Sequence, residues 1–388
     1  MKILFCHFGI KDKSGFGRTF MLAKGIAALG YDLIFLTNQN EGFKFPYGVE
    51  IRDKVKIISF PDFLPKKILG LGFGGLSILL KLLYVTNKRF DIVHSDNHRP
   101  SAAFPCVWNR LIYKAKYISE WWDNYGRGGQ YDNKHWLFKV FLGWYEIRTE
   151  IKNHLKADGV IVLSEETRNR ATSNKIDDRK ITIIHGGANI DYIDYYEPFN
   201  FKHDNQPKIT FGYIGMSDGE LVDLEPFIKA FSRCSKKMDI IFQTFGKKIS
   251  RANKSKYELT KMLESGWVNY FNNADALSRI DVYILIKANN AINRAGWPNK
   301  LGDYLAAGRP VLLNPYGDLC WFSQKHPKGL ILTEWNESDI EKKISDIYNG
   351  KYDLNQMGKY NRRIAENEYS WMSQSSKLEK FYKTILIK

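Results

Sequence analysis

The stretch GWPNKLGDYLAAGRP, residues 296–310, predicts a short helix that opens at Pro298. One side of that helix would carry an apolar stripe made of Leu301, Tyr304 and Leu305. Gly308 suits the end of the helix, because glycine tolerates a positive φ. Lys300 is the unusual residue. The first turn of a helix is already positive, through its unpaired N–H groups and the helix dipole, so a lysine there needs a reason.

Two explanations of Lys300 are open. In the first, a diphosphate binds at the helix N-terminus through backbone N–H groups, and Lys300 neutralises its charge. Asp303, one turn later, would then accept hydrogen bonds from ribose hydroxyls, and Arg294 lies just upstream. In the second, Lys300 and Asp303 form a surface ion pair at i, i+3, worth only a few tenths of a kcal/mol.

Length and composition indicate a globular protein of two domains. The chain has 388 residues, which is too long for one ordinary core. Its residues are 44% hydrophobic and 14% aromatic, as in a well-packed globular protein. Its cysteines form no C-x-x-C pair, as expected for reduced thiols in a cytoplasmic protein. They are Cys6, Cys106, Cys234 and Cys320. The opening MKILFCHFG is too short in its apolar part for a signal peptide and predicts a first strand.

The charge of the chain is strongly basic. Lysine and arginine outnumber the acids by 58 to 42, which gives a net charge of +16, mostly from the first half. Such an excess attracts nucleic acid, an anionic membrane or a phosphorylated substrate, and composition alone favours none of these over simple solubility. The sequence has no recognition-helix or RNP-like motif, so no specific nucleic acid partner is expected.

Short apolar strands alternate with helices along the whole chain. Each apolar run ends in polar residues, a pattern typical of parallel sheets with both faces covered. One series of strands closes with KITIIHGGANID (180–191), and a second starts at ITFGYIGMSDG (209–219), after a polar segment that we interpret as the linker. The fold class is therefore α/β, with two tandem Rossmann-like parallel-sheet domains. The predicted domains are 1–190 and 191–370, followed by an amphipathic helix at 371–388.

The segment 63–90, FLPKKILGLGFGGLSILLKLLYVTNKRF, is the most apolar part of the chain. It approaches the length of a membrane span, but glycines crowd its beginning and lysines flank it. A buried or interfacial helix is the preferred interpretation. The alternatives are a surface that docks on a membrane and, least favoured, a transmembrane helix. Membrane docking would use the basic residues Lys66, Lys67, Lys88 and Arg89.

Ligands of open parallel sheets bind outside the carboxyl ends of the strands, and this rule selects residues of the first half. After the first strand, Gly15 and Gly17 precede a helix and let backbone N–H groups approach an anion or a sugar. The match to G-x-G-x-x-G is incomplete, and no acidic residue ends the second strand. A nicotinamide site is therefore not expected.

Two later strands of the first half end in side chains that suit an acceptor. His94 and Asp96 are expected to line the cleft as hydrogen-bonding groups, since their placement at a strand end does not suit a metal site. Aromatic faces beside carboxylates suit a sugar, and SEWWD offers both. One of Trp121 and Trp122 is expected to pack in the core. We predict Trp122 as an acceptor contact and Asp123 as a catalytic residue.

The whole pattern resembles the GT-B glycosyltransferases, specifically the retaining enzymes of family 4. The resemblance is carried by ADALSRIDVYILI…PNKLGDYLAAGRPVL, by KITIIHGGANID and by EYSWMSQSSKLEKFY, which is similar to the C-terminal helix that crosses back to the first domain in that family. It implies two domains facing across a cleft. It also implies a nucleotide-sugar held mainly by the second domain, an acceptor on the first, and catalysis without a metal and with retention of configuration.

The chain departs from the family pattern at the donor sugar. The family often carries Glu-x7-Glu, whereas here Asp303 takes the second position and Ala295 the first. The missing sugar contact is then expected from Asn293 or from the backbone N–H of Gly296.

Two further departures concern charge. The basic pair that follows the first strand of the second domain in the family is replaced by the acidic GMSDGELVDLE. Phosphate charge would then rest on Arg294, Lys300 and Lys247. The family's histidine after the YISEWW strand is also replaced, and Asp123 is the nearest candidate for its role.

The resemblance predicts a cytoplasmic glycosyltransferase, peripheral on the inner face of the plasma membrane, that needs no cofactor and no metal. It would transfer a sugar from a UDP- or GDP-sugar to a glycan or lipid-linked acceptor in bacterial surface polysaccharide assembly. The alternatives are a nucleotide-sugar epimerase or hydrolase and a non-catalytic sugar-binding homologue. The predicted donor-binding residues are Gly15, Gly17, Gly215, Lys247, Asn293, Gly296, Asn299, Leu301 and Asp303. The predicted catalytic residues are Asp123, Lys300 and Arg294, and the acceptor residues are His94, Asp96 and Trp122.

Overall fold

The computed structural model describes residues 1–13, 15–196, 209–267 and 275–387. The chain divides into two compact units. Unit 1 comprises Met1–Gly186, Arg294–Trp297 and Trp371–Lys388, and unit 2 comprises Gly187–Asn293 and Pro298–Ser370. The segment expected to link the domains lies outside the described residues from position 197 to 208.

The sheet of unit 1 has the order β3-β4-β2-β1-β5-β6-β7-β8, and every neighbouring pair is parallel except β3 and β4. Its strands are β1 (Lys2–Ile10), β2 (Asp32–Asn38), β3 (Gly48–Arg52), β4 (Val55–Phe60), β5 (Ile92–Ser95), β6 (Lys116–Trp121), β7 (Gly159–Val162) and β8 (Ile181–Ile183). The helices between them are α1 (Phe16–Ala28), α2 (Lys66–Leu69), α3 (Gly75–Thr86), α4 (Pro100–Tyr113), α5 (Trp136–Phe141), α6 (Gly143–Lys156) and α7 (Glu165–Ser173).

Continuous burial explains why these short runs form strands. All four residues of β5 and all four of β7 are buried, as the inner strands of a parallel sheet require when helices cover both faces. The apolar core on one face joins side chains of neighbouring strands, such as Leu4, Val93 and Val160. The predicted parallel α/β architecture of the first half is confirmed.

The hairpin of β3 and β4 was not predicted from the sequence. Its two-residue turn, Asp53 and Lys54, has a positive φ at both positions, 49° and 65°, which matches the twist of paired antiparallel strands. Asparagine or glycine usually marks such a turn, and neither is present here. The edge strand β3 also exposes alternate residues, so its apolar pattern is weak.

The apolar segment 63–90 forms α2 and α3, and α3 packs against α4. Lys81, in the middle of α3, is fully buried. Its Nζ donates to the carbonyl oxygen of His7 at 3.2 Å and to the Oγ of Ser101 at 2.6 Å. Burial lowers the pKa of Lys81 to about 8. Within the described part of the chain, no helix combines the length and the apolar character that a bilayer crossing needs.

Unit 2 has a second, fully parallel sheet in the order β11-β10-β9-β12-β13-β14. Its strands are β9 (Ile209–Met216), β10 (Ile240–Gly246), β11 (Met262–Glu264), β12 (Val282–Leu285), β13 (Val311–Leu313) and β14 (Leu330–Leu332). The helices that follow in the chain are α8 (Leu221–Ser235), α9 (Arg251–Lys256), α10 (Asp275–Ser278), α11 (Ala291–Ala295), α12 (Lys300–Ala306), α13 (Asp318–Lys325), α14 (Glu337–Tyr348) and α15 (Leu354–Ile364).

The last helix, α16 (Trp371–Ile387), belongs to unit 1 and packs along α1. Gly25 of α1 allows this approach, because a Cβ at that position would lie 2.1 Å from the Oγ of Ser375. Ser375 in turn donates to the carbonyl oxygen of Leu22 at 3.3 Å. Small residues on both helices therefore set the contact.

Helix α12, predicted from the opening motif, approaches the first residues of unit 2 through Gly302. A Cβ at Gly302 would lie 2.3 Å from the carbonyl oxygen of Gly187, which is backbone and cannot rotate away. One residue later, the Oδ1 of Asp303 accepts a hydrogen bond from the Nδ2 of Asn189 at 2.6 Å. The glycine thus fixes the position of α12 against this loop.

We expect Gly302→Ala to destabilise the protein by about 1–3 kcal/mol, since the methyl group overpacks against fixed backbone. Gly75→Ala is the control. Gly75 begins α3 with open space around it, so the higher helix propensity of alanine should leave stability unchanged or slightly raised. Urea unfolding monitored by circular dichroism measures both. Equal stability of the two variants would contradict the close approach of α12.

Candidate donor and acceptor sites

The strand order of unit 2 places a crevice at the carboxyl ends of β9 and β12. The chain goes from β9 to β10 on one side, and β12 pairs on the other side, so the connections diverge at this point. Ligands of open α/β sheets bind where that happens. Gly215 lies at the end of β9, and Lys287 follows β12.

Lys300, the first residue of α12, reaches this crevice. Its Nζ lies 2.5 Å from the hydroxyl of Tyr213, 3.2 Å from the Oε2 of Glu220 and 3.8 Å from the centroid of the Tyr213 ring. Gly215 has φ +82°, and a Cβ there would lie 3.8 Å from the same Nζ. The backbone of the β9 turn and the lysine therefore adjoin. The predicted surface pair of Lys300 with Asp303 is not what the structure shows, because each has another partner.

Lys287 joins Lys300 in a cluster of four charges. The Nζ of Lys287 lies 3.6 Å from Glu220 and 3.2 Å from Asp223. Asp223 also accepts hydrogen bonds from the N–H of Ala288 at 3.2 Å and from the Nδ2 of Asn293 at 3.0 Å. Two lysines and two carboxylates thus balance each other at the ends of β9 and β12.

Burial and charge shift the pKa values in this cluster. Burial raises the pKa of Glu220, but Lys300, Lys287 and the Tyr213 hydroxyl outweigh it and hold the value at about 2. Burial lowers the pKa of Lys300 to about 8, because Glu220 opposes this effect only in part and Lys287 adds repulsion. One carboxylate shared between two lysines cannot fully compensate either of them.

Two aromatic residues hold helix α12 in place. The ring of Tyr304, on α12, stacks on Tyr283 of β12 with centroids 4.0 Å apart. Its hydroxyl accepts a hydrogen bond from the N–H of Ile214 at 3.2 Å. These contacts tie the helix to both strands that flank the crevice. The sequence analysis missed Tyr213, Glu220, Asp223 and Lys287 as members of the site; the acidic GMSDGELVDLE was the available signal.

Other predicted donor residues of unit 2 have different surroundings. Leu301 is fully buried and its N–H donates to the carbonyl oxygen of Pro298 at 2.9 Å, so the expected ligand contact of Leu301 is corrected to a packing role. Asp303 is 7% exposed. Asn299 is exposed and precedes α12, and Lys247 is exposed at the end of β10, where its N–H donates to the carbonyl oxygen of Met216 at 2.8 Å.

Arg294 and Gly296 belong to unit 1, whereas Lys300 belongs to unit 2. The carbonyl oxygen of Ala295 accepts hydrogen bonds from the hydroxyls of Ser164 and Thr167, each at 2.6 Å. Arg294 places its Nε 3.3 Å from Glu166. Arg294 and Lys300 thus lie in different units, and their expected joint role in neutralising phosphate charge stays a prediction.

Unit 1 has its own point of divergence, between β1 and β5. Gly15 lies in the turn after β1 with φ +83°, and a Cβ there would be 3.0 Å from the ring of Trp122. Gly17 lies in the first turn of α1 with no neighbour within 4 Å of such a Cβ. The tight approach of Gly15 to Trp122 explains why a glycine stands at this turn.

His94 and Asp96 are fully buried, which corrects their predicted role as acceptor contacts. Asp96 accepts hydrogen bonds from the Phe8 N–H at 3.1 Å and the Thr19 hydroxyl at 2.7 Å, and it lies 2.5 Å from the Nδ1 of His7. Its carboxylate thus joins β1 to α1, while the Nδ1 of His94 is hydrogen-bonded to Tyr382 of α16. In this structure neither side chain is open to a ligand.

Glu120, at the end of β6, is the central charge of unit 1. Its carboxylate lies 3.1 Å from the Nε of Arg18, 3.0 Å from the Nε2 of His94 and 2.5 Å from the Nε1 of Trp122. Burial raises the pKa of Glu120, but Arg18 and His94 outweigh it and hold the value at about 2. This residue was not predicted from the sequence.

The two tryptophans of SEWWD differ as expected. Trp121 is fully buried, stacks on His154 with centroids 4.5 Å apart and donates to Glu150 at 3.0 Å. Trp122 is partly exposed beneath the Gly15 turn. Asp123 accepts hydrogen bonds from the N–H of Asn124 at 2.8 Å and from the Nε2 of Gln130, so its carboxylate shapes the following loop.

A metal site does not emerge from these side chains. Among the described residues, no three His, Cys, Asp or Glu side chains come together as ligands would. Unit 2 instead offers two lysines at a glycine turn, whose charges Glu220 and Asp223 balance until an anion displaces these carboxylates. An anion with several oxygens suits such an arrangement.

Comparisons with known proteins bear on the family and the fold of the chain. The model of Glycosyltransferase Family 4 matches residues 18–192. The sucrose-phosphate synthase of Thermosynechococcus elongatus is similar over 99% of this chain and 98% of its own, at 13% identity and a TM-score of 0.74. HepE of Anabaena, in complex with UDP-glucose, is similar over 99% of this chain and 100% of its own, at 12% identity and a TM-score of 0.68. WaaG, a glycosyltransferase involved in lipopolysaccharide biosynthesis, is similar over 99% of this chain and 99% of its own, at 11% identity and a TM-score of 0.65. No curated protein sequence matches the chain.

The fold is therefore that of the GT-B glycosyltransferases, with two parallel-sheet units. The resemblance to family 4 that the sequence analysis stated is confirmed, and the matched residues lie mostly in unit 1. Family match and fold together support a transferase.

The buried carboxylate of unit 1 gives a test of stability. Glu120→Gln would leave Arg18 buried without its counter-charge, so we expect a loss of about 3 kcal/mol. Because the folded pKa of about 2 lies below the ordinary 4.5, the ion pair stabilises the protein above pH 4.5 and is lost as the pH falls towards 2. Unfolding of the wild type should therefore show an acid-dependent component that the variant lacks.

The control for this measurement is Glu366→Gln. Glu366 pairs with Arg362 at 2.6 Å on the surface, and its side chain is 47% exposed, so its loss should cost less than about 0.5 kcal/mol. An equal cost for the two variants would show that Glu120 does not hold the interior of unit 1.

Proposed function

We propose that the protein is a glycosyltransferase that moves a sugar from a UDP- or GDP-sugar to a glycan or lipid-linked acceptor, with retention of configuration. The observation that carries the proposal is Lys300 at the first turn of α12, next to the positive-φ turn at Gly215. A diphosphate there would gain N–H donors from the backbone and charge from two lysines. HepE, with the same fold, binds UDP-glucose.

The roles of the other residues follow from their positions. Lys300 and Lys287 would neutralise the charge of the leaving diphosphate, and exposed Lys247 would add to them. Asn299 and Asp303 stay candidates for sugar and ribose contacts in unit 2, as does Asn293. Arg294 and Gly296 stay candidates on unit 1. On the acceptor side, Trp122 remains the proposed contact and Asp123 the proposed catalytic residue.

The proposal includes no metal and no cofactor beyond the donor itself. Phosphate charge would be neutralised by lysines, as in enzymes that do without a divalent cation. We also propose a cytoplasmic location with peripheral attachment to the membrane, in bacterial surface polysaccharide assembly. The lipopolysaccharide role of WaaG, a protein of the same fold, supports this setting.

A second candidate function is that of a non-catalytic sugar-binding homologue. It is favoured by the pairing of Lys300 and Lys287 with Glu220 and Asp223, because a diphosphate must replace those carboxylates before it gains the lysine charges. Glu220 is 27% exposed, so its side chain has room to leave. The two candidates differ in whether any nucleotide-sugar binds.

Thermal-shift screening against UDP-, GDP-, ADP- and dTDP-sugars tests the proposal, since a ligand raises the melting temperature by mass action. A nucleotide-sugar that stabilises the protein is then incubated with glycan and lipid-linked acceptors. Transfer with retention supports the full proposal. Change of the donor sugar without acceptor would indicate an epimerase or hydrolase, and no stabilisation by any donor would leave the non-catalytic homologue.

Lys300→Ala should weaken binding of that donor by about 1.5–3 kcal/mol, the range for a hydrogen bond to a charged group. The melting temperature should stay near that of the wild type. Lys351→Ala is the matched control, because Lys351 pairs with Asp346 at 2.6 Å on the surface of the same unit. Calorimetric titration measures both, and unchanged donor affinity in Lys300→Ala would remove Lys300 from the site.

Donor binding should depend on pH near 8. The pKa of Lys300 is lowered to about 8, and a bound diphosphate favours the charged lysine, so affinity should fall as the pH rises above 8. Binding at pH 8, where the free lysine is half protonated, should also take up about half a proton per site, which calorimetry detects as a heat that varies with the buffer. In Glu220→Gln, loss of the neighbouring charge should shift the affinity midpoint to lower pH. A flat profile between pH 7 and 9 would contradict this role.

A further inference from the structure

We propose that unit 1 docks on an anionic lipid surface through residues 136–144, which form α5 and the start of α6 and which we call the aromatic face. The docking surface deepens the proposed function and rests on it, because a lipid-linked acceptor is part of that function. It assigns membrane contact to a part of the chain other than the basic residues around 63–90.

The aromatic face exposes large apolar side chains at more than half of its nine positions. α5 buries none of its residues. The exposed fractions are 63% for Trp136, 45% for Leu137, 61% for Val140, 69% for Phe141 and 62% for Trp144. Together these side chains present on the order of 500 Å², which is within the range of the largest patch that a typical monomer shows and often marks a functional surface.

Ring contacts connect the aromatic face to the neighbouring helix α4. Tyr145 lies edge-on to Trp144, with centroids 5.9 Å apart, and to Phe73, at 5.6 Å. It also meets Phe104 of α4 at 6.4 Å. The exposed apolar surface therefore continues from the aromatic face onto α4.

Helices α3 and α4 extend this surface with stripes at helical spacing. On α4, Phe104, Trp108 and Leu111 are exposed at i, i+4 and i+7. On α3, which packs beside α4, Leu79 and Leu83 are exposed at i and i+4. The inward face of α3 is buried in the unit, so only these outward stripes are left for a partner.

The charges around the aromatic face are mostly basic, although the exposed acid Asp132 lies just before it. Between positions 134 and 156 the only acidic residues are Glu146 and Glu150, and both are buried. Glu146 lies 3.0 Å from Arg99, and Glu150 lies 3.2 Å from Arg170. All other charged residues of that stretch are basic. They are Lys134, Lys139, Arg148, Lys152 and Lys156.

This combination favours a lipid surface as the occupant. Tryptophan and phenylalanine lie at the boundary between headgroups and acyl chains, and lysine and arginine beside them reach anionic headgroups. A helix with no buried face gains burial by entering that boundary without rearranging the unit. The excess of basic over acidic side chains along residues 134–156 suits an anionic plane.

The test is flotation of the full chain with phosphatidylcholine vesicles that contain or lack phosphatidylglycerol. The wild type should float with the phosphatidylglycerol vesicles at low salt, leave them at high salt and ignore the others. Trp136→Ser combined with Trp144→Ser should reduce the bound fraction at least tenfold. Lys139→Glu combined with Arg148→Glu should do the same by charge alone.

The control is Trp321→Ser, since Trp321 is an exposed tryptophan of unit 2 with Lys325 5.3 Å from its ring. The control should bind vesicles as the wild type does. Donor-induced thermal stabilisation in solution should be the same in all variants, so failure of the donor site and failure of docking are separate results.

Three results would overturn the proposal. One is a wild type that does not bind phosphatidylglycerol vesicles at low salt. Another is binding that the tryptophan and charge variants leave intact. The third is a wild type that sediments as a dimer and becomes monomeric in the tryptophan variant without vesicle binding, which would assign the face to a second copy of the chain.

Discussion

Parallel strands cannot be joined by tight turns, and this constraint governs the whole protein. Apart from the β3–β4 hairpin at the edge of unit 1, the connections must cross back over the sheet, so helices cover both faces and the inner strands become continuous apolar runs. Polar chemistry is thereby confined to the loops at the strand ends. In both units the important side chains follow the central strands, where neighbouring connections diverge to opposite sides.

Each unit places one glutamate at this edge and gives it several donors. Glu120 is held by Arg18, His94 and Trp122 in the closed interior of unit 1, where its exposure is zero. Glu220 is held by Lys300, Lys287 and Tyr213 in unit 2, but one side of it remains accessible. The Glu120 carboxylate is therefore a fixed structural charge. The Glu220 carboxylate pairs with two lysines, and an incoming anion can displace it from them.

The sequence predicted the strands and their parallel class because both depend on short-range patterns. Burial on two faces produces runs such as GVIV, and a helix start is visible in PNK. The partners of the polar residues depend on strand order, which periodicity does not encode. His94 and Asp96 follow a strand as predicted, yet β1, α1 and α16 cover them. Lys300 was found from its position in the helix, while Glu220 was missed because its lysine partners lie 67 and 80 residues further along the chain.

Helix α16 follows unit 2 in the chain but completes unit 1, where it lies on Gly25 and hydrogen-bonds His94 through Tyr382. Residues 294–297 complete unit 1 in the same way from within the second half. During synthesis, unit 1 is therefore incomplete until almost all of unit 2 has emerged from the ribosome. Until then α1 is not covered by α16, and the imidazole of His94 lacks its hydrogen bond to Tyr382. Because unit 1 is completed last, we expect the first half of the chain to bind chaperones during synthesis. Unit 2 can fold as soon as its own strands are present.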